Sequence, residues 1–311
     1  MTAPAFHSDV IEEWARYFEP QPPSPYVADP QAWARDKLGT HLWSKQREIV
    51  ASVAENRRTA VHSCHGAGKS YTAATIASWW IDIHPPGDAI VVSTAPTYKQ
   101  VHAVLWEEIR AAHRKGKLPG TVLQTDEWKI GDVLVGMGRK PADHDPHGFQ
   151  GIHRRYVLAI LDEACGIPDA LWTAVEAITT NADCRILAIG NPDDPATEFG
   201  KVCAPGSGWN VIGISSFDTP NLSGEDIPDQ LRPMLPDPGW VEDARKRWGE
   251  DSPVYKSKVL GEFPDVSEDT LIPQRWIAAA DALRSTWPIL GGRSRWRLGE
   301  LTVAWPAVAP R

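Results

Sequence analysis

Thr59-Ala60-Val61-His62-Ser63-Cys64-His65-Gly66-Ala67-Gly68-Lys69-Ser70-Tyr71-Thr72-Ala73-Ala74-Thr75 is the stretch on which the fold turns. A β-like segment (Thr59–Ser63) runs into a loop of small residues, and a helical run starts at Gly68-Lys69-Ser70. A helix N-terminus leaves backbone N–H groups unpaired and carries partial positive charge. A loop without bulky side chains lets those amides wrap a phosphate. The pattern G-x-x-x-x-G-K-[ST] is met by Cys64, His65, Gly66, Ala67, Gly68, Lys69 and Ser70, with Ser63 standing where the first Gly belongs. Lys69 is placed to reach outer phosphates, and the Ser70 hydroxyl to help hold Mg²⁺. A Gly-rich turn before an ordinary helix is the plainer alternative; the strand before and the helix after favour a nucleotide site.

Downstream, Tyr156-Val157-Leu158-Ala159-Ile160-Leu161 is an unbroken apolar run ending in Asp162-Glu163. Such a run suits a parallel strand buried on both faces, and open α/β sheets bind ligands at the carboxyl ends of their strands. Asp162 is placed to organise the Mg²⁺ shell and Glu163 to polarise an attacking water. An acidic strand end facing solvent is the alternative, and the phosphate loop about 90 residues upstream tells against it. Arg185-Ile186-Leu187-Ala188-Ile189 is another buried strand, closed by Gly190-Asn191-Pro192. Asn191 can contact an outer phosphate and report hydrolysis to a moving element; on chemistry alone an Asn-Pro turn would serve as well. Gln46, in Trp43-Ser44-Lys45-Gln46-Arg47, can pair with an adenine edge through its amide.

The remaining pattern fills in an α/β protein. Helices are expected from Ser8, from Asp29-Pro30 to about Lys37, from Ser44, over Lys69–Ile83, and from Thr97 through His113 with Val101, Val104, Leu105 and Ile109 buried. Strands are expected at Ala89–Ser93, around Val122, in a hairpin turning at Gly131-Asp132, and at Asn210–Ile214. Arg110, His113, Arg114, Lys115 and Lys117 form a basic helix end, suited equally to the helix dipole and to a phosphate backbone. After Ser216, Pro and Asp become dense, and two amphipathic helices, Gly239–Trp248 and Ser252–Leu260, carry Arg245, Lys246, Arg247, Lys256 and Lys258 as a basic side. Asp143-His144-Asp145-Pro146-His147 matches no standard metal-ligand spacing.

Composition narrows the class. The 311 residues are 42% hydrophobic and 23% charged, as expected for a globular chain with an α/β core and an appendage. No apolar run reaches membrane-spanning length, and Met1–Pro20 lacks the form of a signal peptide. Cys64, Cys165, Cys184 and Cys203 form no C-x-x-C pair and suit a reducing cytosol. A net charge of −8 excludes a coat of positive charge but leaves room for a local basic stripe. The 15 tryptophans are scattered and read as packing residues.

With these pieces in order, the chain resembles the large terminase subunit of tailed phages, from about Trp43 to Ala280. The landmarks are Trp43–Gln46, Ser63–Ser70, Ser93-Thr94-Ala95-Pro96-Thr97, Phe149-Gln150-Gly151-Ile152-His153 ahead of Ile160–Ala164, Gly190-Asn191-Pro192 and Gly261-Glu262-Phe263-Pro264. The resemblance implies a RecA-like ASCE P-loop NTPase, mainly a parallel sheet flanked by helices, with one extra strand between the loop strand and the Asp-Glu strand, plus a small helical subdomain. The expected divisions are 1–42 N-terminal helical, 43–216 ATPase core, 217–263 small subdomain, and 264–311 a remnant of a nuclease-domain start with a disordered tail. It implies ATP and Mg²⁺, with Lys69 and Ser70 on phosphate and metal, Asp162 on the metal, Glu163 and Lys69 catalytic, Gln46 on adenine and Asn191 in the coupling motif. Implied partners are double-stranded DNA, a portal protein, a small terminase subunit and further copies in a ring, in the cytoplasm of a host bacterium.

Two departures stand out. His65 occupies a loop position where many terminases carry Arg, so the transition-state charge is expected from a neighbouring subunit. After Asp281 the only carboxylate side chain is that of Glu300, whereas a two-metal nuclease needs several. A terminase ATPase without its nuclease, through truncation, a split gene or a frameshift, is the expectation. A helicase-like translocase and an inactive nucleotide-binding remnant are the rivals.

Overall fold

The computed structural model describes residues 24–143, 149, 151–264 and 280. The described residues up to 264 belong to one compact unit, and Ala280 to a second. The helix expected from Ser8, residues 144–147 of the Asp/His-rich loop, Gln150, and residues 265–311 apart from Ala280 lie outside the described residues.

An eight-stranded sheet organises the first unit, in the order β3-β4-β5-β2-β6-β7-β1-β8. The strands are β1 (Arg58–Ser63), β2 (Ala89–Thr94), β3 (Thr121–Val122), β4 (Glu127–Ile130), β5 (Val133–Gly138), β6 (Tyr156–Asp162), β7 (Arg185–Gly190) and β8 (Asn210–Ile214). All neighbours from β5 to β8 pair in parallel, and β3, β4 and β5 form an antiparallel edge. The β4–β5 hairpin turns at Gly131-Asp132 as the sequence predicts. β7 lies between β1 and β6, so the extra strand implied by the resemblance is present.

Side-chain alternation along the central strands splits the interior in two. Val61, Leu158, Ile160 and Leu187 face one layer; Ala60, Val157, Ala159, Leu161 and Ala188 face the other. The first layer is covered by α1 (Pro30–Leu38), α2 (Ser44–Glu55), α3 (Lys69–Ile83) and α4 (Trp106–Gly116), the second by α5 (Asp169–Ile178) and α6 (Glu198–Cys203). Each fully buried Leu, Ile or Val contributes about 1.5–3 kcal/mol, so β6 is held strongly from both faces. Trp33, Trp79, Trp106 and Trp128 are fully buried, and their indole N–H groups donate to Asp82, Tyr26 O, Ser93 Oγ and Pro119 O. The reading of the tryptophans as packing residues holds for these.

The helix expected from Thr97 to His113 is not one regular helix. Thr97 caps a single turn, Tyr98–Gln100; Val101–Leu105 is a π-helical turn; α4 follows. A π turn takes in one more residue than an α turn and rotates the faces that follow. Val101 and Leu105 are buried, whereas Val104, expected inside, is 43% exposed. Arg110, read as part of a basic surface, is 4% exposed and ion-paired to buried Asp126.

Beyond β8, α7 (Pro238–Trp248) and the following turns share a small core of Val241, Ala244, Tyr255 and Val259. The helix expected over Ser252–Leu260 is a single α turn, Pro253–Tyr255, continued by a π turn, Lys256–Leu260. The basic side is largely compensated in place: Arg245 and Lys246 pair with Glu242, and Lys258 with Asp193. The stretch leading to α7 is fastened to the main core by Ile227, Leu231 and Leu235.

Candidate nucleotide site

The site forms where β1 passes into α3. The loop is pinned at its start: Cys64 N–H donates to Ile214 O at 2.8 Å, and His65 N–H to Lys258 O at 2.9 Å. Gly68 is the N-cap of α3, with φ +77°, a conformation that costs an L-residue energy. A Cβ there would also stand 2.8 Å from Gln46 Nε2. The run Gly68-Lys69-Ser70 thus opens a helix of 15 residues, with its N-terminal amides turned toward the loop.

Parallel register brings the other strand ends to this loop. His62 pairs with Gly190, and Asp162 with Ile189, so the residues following β7 lie beside both β1 and β6. Asn191, 2% exposed, donates from Nδ2 to Ser63 O at 2.6 Å and accepts from Lys69 Nζ at 3.4 Å. Lys69 also donates to Cys64 O at 3.1 Å. Burial lowers the Lys69 pKa, opposed by the nearby Glu163 and Asp162 charges. Ser70 Oγ donates to Asp162 Oδ2 at 3.4 Å. Lys69, Ser70, Asp162, Glu163 and Asn191 are therefore brought together as the sequence predicts, across separations of up to 122 residues.

Asp162 is 1% exposed, and burial, with Glu163 beside it, pushes its pKa up to about 7. Glu163 sits at φ +49° and caps a short 3-10 turn, Ala164–Gly166; its N–H donates to Asp162 Oδ1 at 3.1 Å. A non-Gly residue held in the left-handed region is strained, and such strain gathers at functional sites. A buried acid beside a hydroxyl, with a second acid adjacent, is an oxygen-donor set that suits a hard dication such as Mg²⁺, whose charge would offset the acid's desolvation. Among the described residues no group of three or more His, Cys, Asp or Glu side chains is placed to hold a metal ion.

Gln46 lies at the loop, 5% exposed. Its Oε1 accepts from Trp43 N–H at 3.3 Å, closing the first turn of α2, while Nε2 faces Gly68. Its amide is thus engaged by the protein on the oxygen side. Glu225 fastens the same helix start, accepting from Ser44 N–H at 2.9 Å and from Arg47 at 3.2 Å.

Several residues around the loop carry no motif of their own. Pro236 would touch a Cβ on Gly66 at 3.4 Å. Gly261 has φ +65°, and a Cβ would meet Ile214 O at 2.1 Å and Cys64 N at 2.9 Å, which explains why a glycine opens the Gly261–Pro264 landmark. His62 Nδ1 donates to Gly261 O at 2.6 Å, and its ring lies 5.7 Å from that of Phe263. Asp193 joins Ser257 and Lys258 to the segment after β7. For Asp193 the available signal was its place next to Gly190-Asn191-Pro192; for Lys258 it was its place on the basic side of the expected helix Ser252–Leu260.

No protein-family model matches the chain. Over 252 residues it is 25% identical to a probable terminase, large subunit, of Enterobacteria phage P7, covering 75% of this chain and 48% of that protein. The chain thus spans about half the length of this relative. Among solved structures, the large terminase ATPase domain of Thermus phage P74-26 superposes with a TM-score of 0.55 at 17% identity, over 75% of this chain and 98% of that one. A large terminase from a thermophilic bacteriophage, in complex with ADP, gives a TM-score of 0.53 at 12% identity, over 71% and 53% of the two chains. That of bacteriophage HK97 gives 0.52 at 13%, over 72% and 51%. In sequence, then, the chain is similar to a phage terminase large subunit, and its fold is that of the terminase ATPase domains.

Proposed function

We propose that this chain is the ATPase part of a phage or prophage DNA-packaging motor, hydrolysing ATP with Mg²⁺ to move double-stranded DNA into a procapsid. The observation that carries the reading is the meeting of Ser70 Oγ and Asp162 Oδ2 at 3.4 Å, beside Lys69 and at the N-terminus of α3. A solved structure of the same fold has been captured with ADP, which supports nucleotide binding in this reading.

In this reading the amides from Gly66 to Ser70 wrap the phosphates, and Lys69 neutralises the outer ones. Ser70 and Asp162 hold Mg²⁺, which when bound screens the charge building on the transferred phosphoryl group. Glu163 orients and polarises the attacking water for in-line displacement. Asn191, tied to both Lys69 and Ser63 O, carries the change at the outer phosphate into the segment after β7. DNA contacts go to phosphates and are salt-sensitive and sequence-blind. Assembly is as a ring on a portal protein, together with a small terminase subunit, in the host cytoplasm. Among the described residues no helix is long and apolar enough to cross a membrane.

The test is Mg²⁺-dependent ATP hydrolysis with and without double-stranded DNA, with Glu163→Gln as control. Hydrolysis stimulated by DNA and reduced about 10²-fold or more by the substitution, with ATP binding retained, is the expected result. Hydrolysis unchanged by Glu163→Gln would remove Glu163 from its role, and none in the parent protein would favour an inactive remnant.

A further inference from the structure

The loop's electrostatics leave a shortfall. A triphosphate with its Mg²⁺ is still anionic, and Asp162 and Glu163 add negative charge next to it. Within the loop, Lys69 is the one lysine or arginine, and its ammonium, held on Cys64 O and Asn191 Oδ1, marks the outer-phosphate end of the site. His65 does not help at neutral pH: burial, with Lys258 and Lys69 nearby, pushes its pKa down to about 4.

Another cation stands beside the loop. Lys258 lies on the π-helical turn Lys256–Leu260, and its carbonyl accepts the N–H of His65, so its backbone is fastened to the first half of the loop. Its positive charge acts on both His65 and Lys69. Its ammonium rests on Asp193 Oδ1 at 2.6 Å, an oxygen that also receives the Ser257 hydroxyl at 2.5 Å. Asp193 in turn is fixed by a tight turn, its N–H donating to Asn191 O at 3.1 Å. Burial works against the Asp193 charge, but Lys258 and Ser257 hold its pKa below the usual carboxylate range. The Lys258 side chain remains 24% exposed, so the pair is not sealed from solvent.

We propose that Lys258 is the second phosphate-facing cation of this site, supplied in cis: it rests on Asp193 when the outer phosphate is absent and pairs with that phosphate when it is present. The inference rests on the nucleotide-site reading above. It replaces the expectation that the missing charge must come entirely from a neighbouring subunit. Asp193 is then a positioning residue, which holds the lysine within reach of the loop and ties its release to Asn191. Because Lys258 belongs to the turn just before Gly261, its exchange would pull on the segment that packs against the loop.

The test uses the full chain and its Lys258→Met, Lys258→Arg and Asp193→Asn variants. Melting temperature is read first, and then the affinities for Mg-ADP and Mg-ATPγS by displacement of a fluorescent nucleotide, followed by kcat and KM for ATP. The expected result is that Lys258→Met loses about tenfold or more of the preference for ATPγS over ADP, and that its kcat falls about 10²-fold with ADP affinity kept. Lys258→Arg restores most of both, and Asp193→Asn loses less kcat than Lys258→Met. A folded Lys258→Met whose kcat and ATPγS preference stay within about twofold of the parent overturns the role of Lys258. If Lys258→Met does not fold, a Lys258→Arg protein that folds but shows the ADP-like affinity for ATPγS overturns it as well. A parent that binds neither nucleotide overturns instead the nucleotide-site reading itself.

Discussion

Arg110 and Asp126 form a 3.0 Å ion pair with side chains only 5% and 0% exposed. His102 Nδ1 donates to the same carboxylate at 2.8 Å, and Arg110 also donates to His102 O, so the pair braces the π turn Val101–Leu105. Removing Arg110 leaves the Asp126 carboxylate buried with its arginine gone and His102 still against it. Arg110→Met is expected to destabilise the fold by about 3–5 kcal/mol, and Arg110→Met with Asp126→Asn by clearly less than that, as read from urea denaturation.

Asp162 and Glu163 set two acids side by side, one of them fully buried. Asp162→Asn removes that burden. Its melting temperature without nucleotide is expected to equal or exceed the parent's, while the stabilisation gained from Mg-ATPγS is lost. Differential scanning fluorimetry with and without Mg²⁺ reads both arms, and a variant still stabilised by Mg-nucleotide to the parent's extent would remove Asp162 from the metal site.

Asn191 spends its donor on Ser63 O and its acceptor on Lys69. Asn191→Ala is expected to cost about 1–3 kcal/mol, because a buried carbonyl and an ammonium lose their partner. Asn191→Asp does not rescue it, since a carboxylate oxygen would face the Ser63 carbonyl. Chemical denaturation of both variants, with ATP hydrolysis measured alongside, checks the pair of outcomes.

His84 stacks on Tyr156 at 3.9 Å and meets Trp80 edge-on, and its buried Nε2 has no hydrogen-bond partner among the described residues. Burial, with Arg155 and Arg185 nearby, pushes its pKa down to about 4. Between that value and the ordinary 6.5 the unfolded chain binds the proton and the folded protein does not. This contribution to stability is therefore full above pH 6.5 and is lost as the pH falls toward about 4. After discounting for the ring's partial exposure, about 1 kcal/mol should be lost across the window. His84→Phe should flatten that part of a urea-midpoint profile taken against pH.

The elements nearest the candidate site were legible because each carries its own local signal. The run Tyr156–Asp162 is too apolar for a half-exposed strand, and Gly68-Lys69-Ser70 opens a helix where side chains must be small or absent. Val104 was misread for the opposite reason. An assumed 3.6-residue period puts it inside, and nothing local announces a π turn at Val101–Leu105.

The order of strands and helices, and the polar residues that end the buried strands, could be read from residue type alone, since burial on two faces and helix capping are short-range demands. Which polar residues meet could not; that followed from packing. Arg110 is withdrawn from the surface by Asp126, and Lys258, whose carbonyl holds the loop after β1, rests its ammonium on Asp193. Both acids are indistinguishable in the sequence from solvated ones, and their partners follow from how the sheet edge and the segment after β8 pack. Coulombic attraction has no period along a chain, so it becomes readable only once folding has fixed which charges share a dry, confined space.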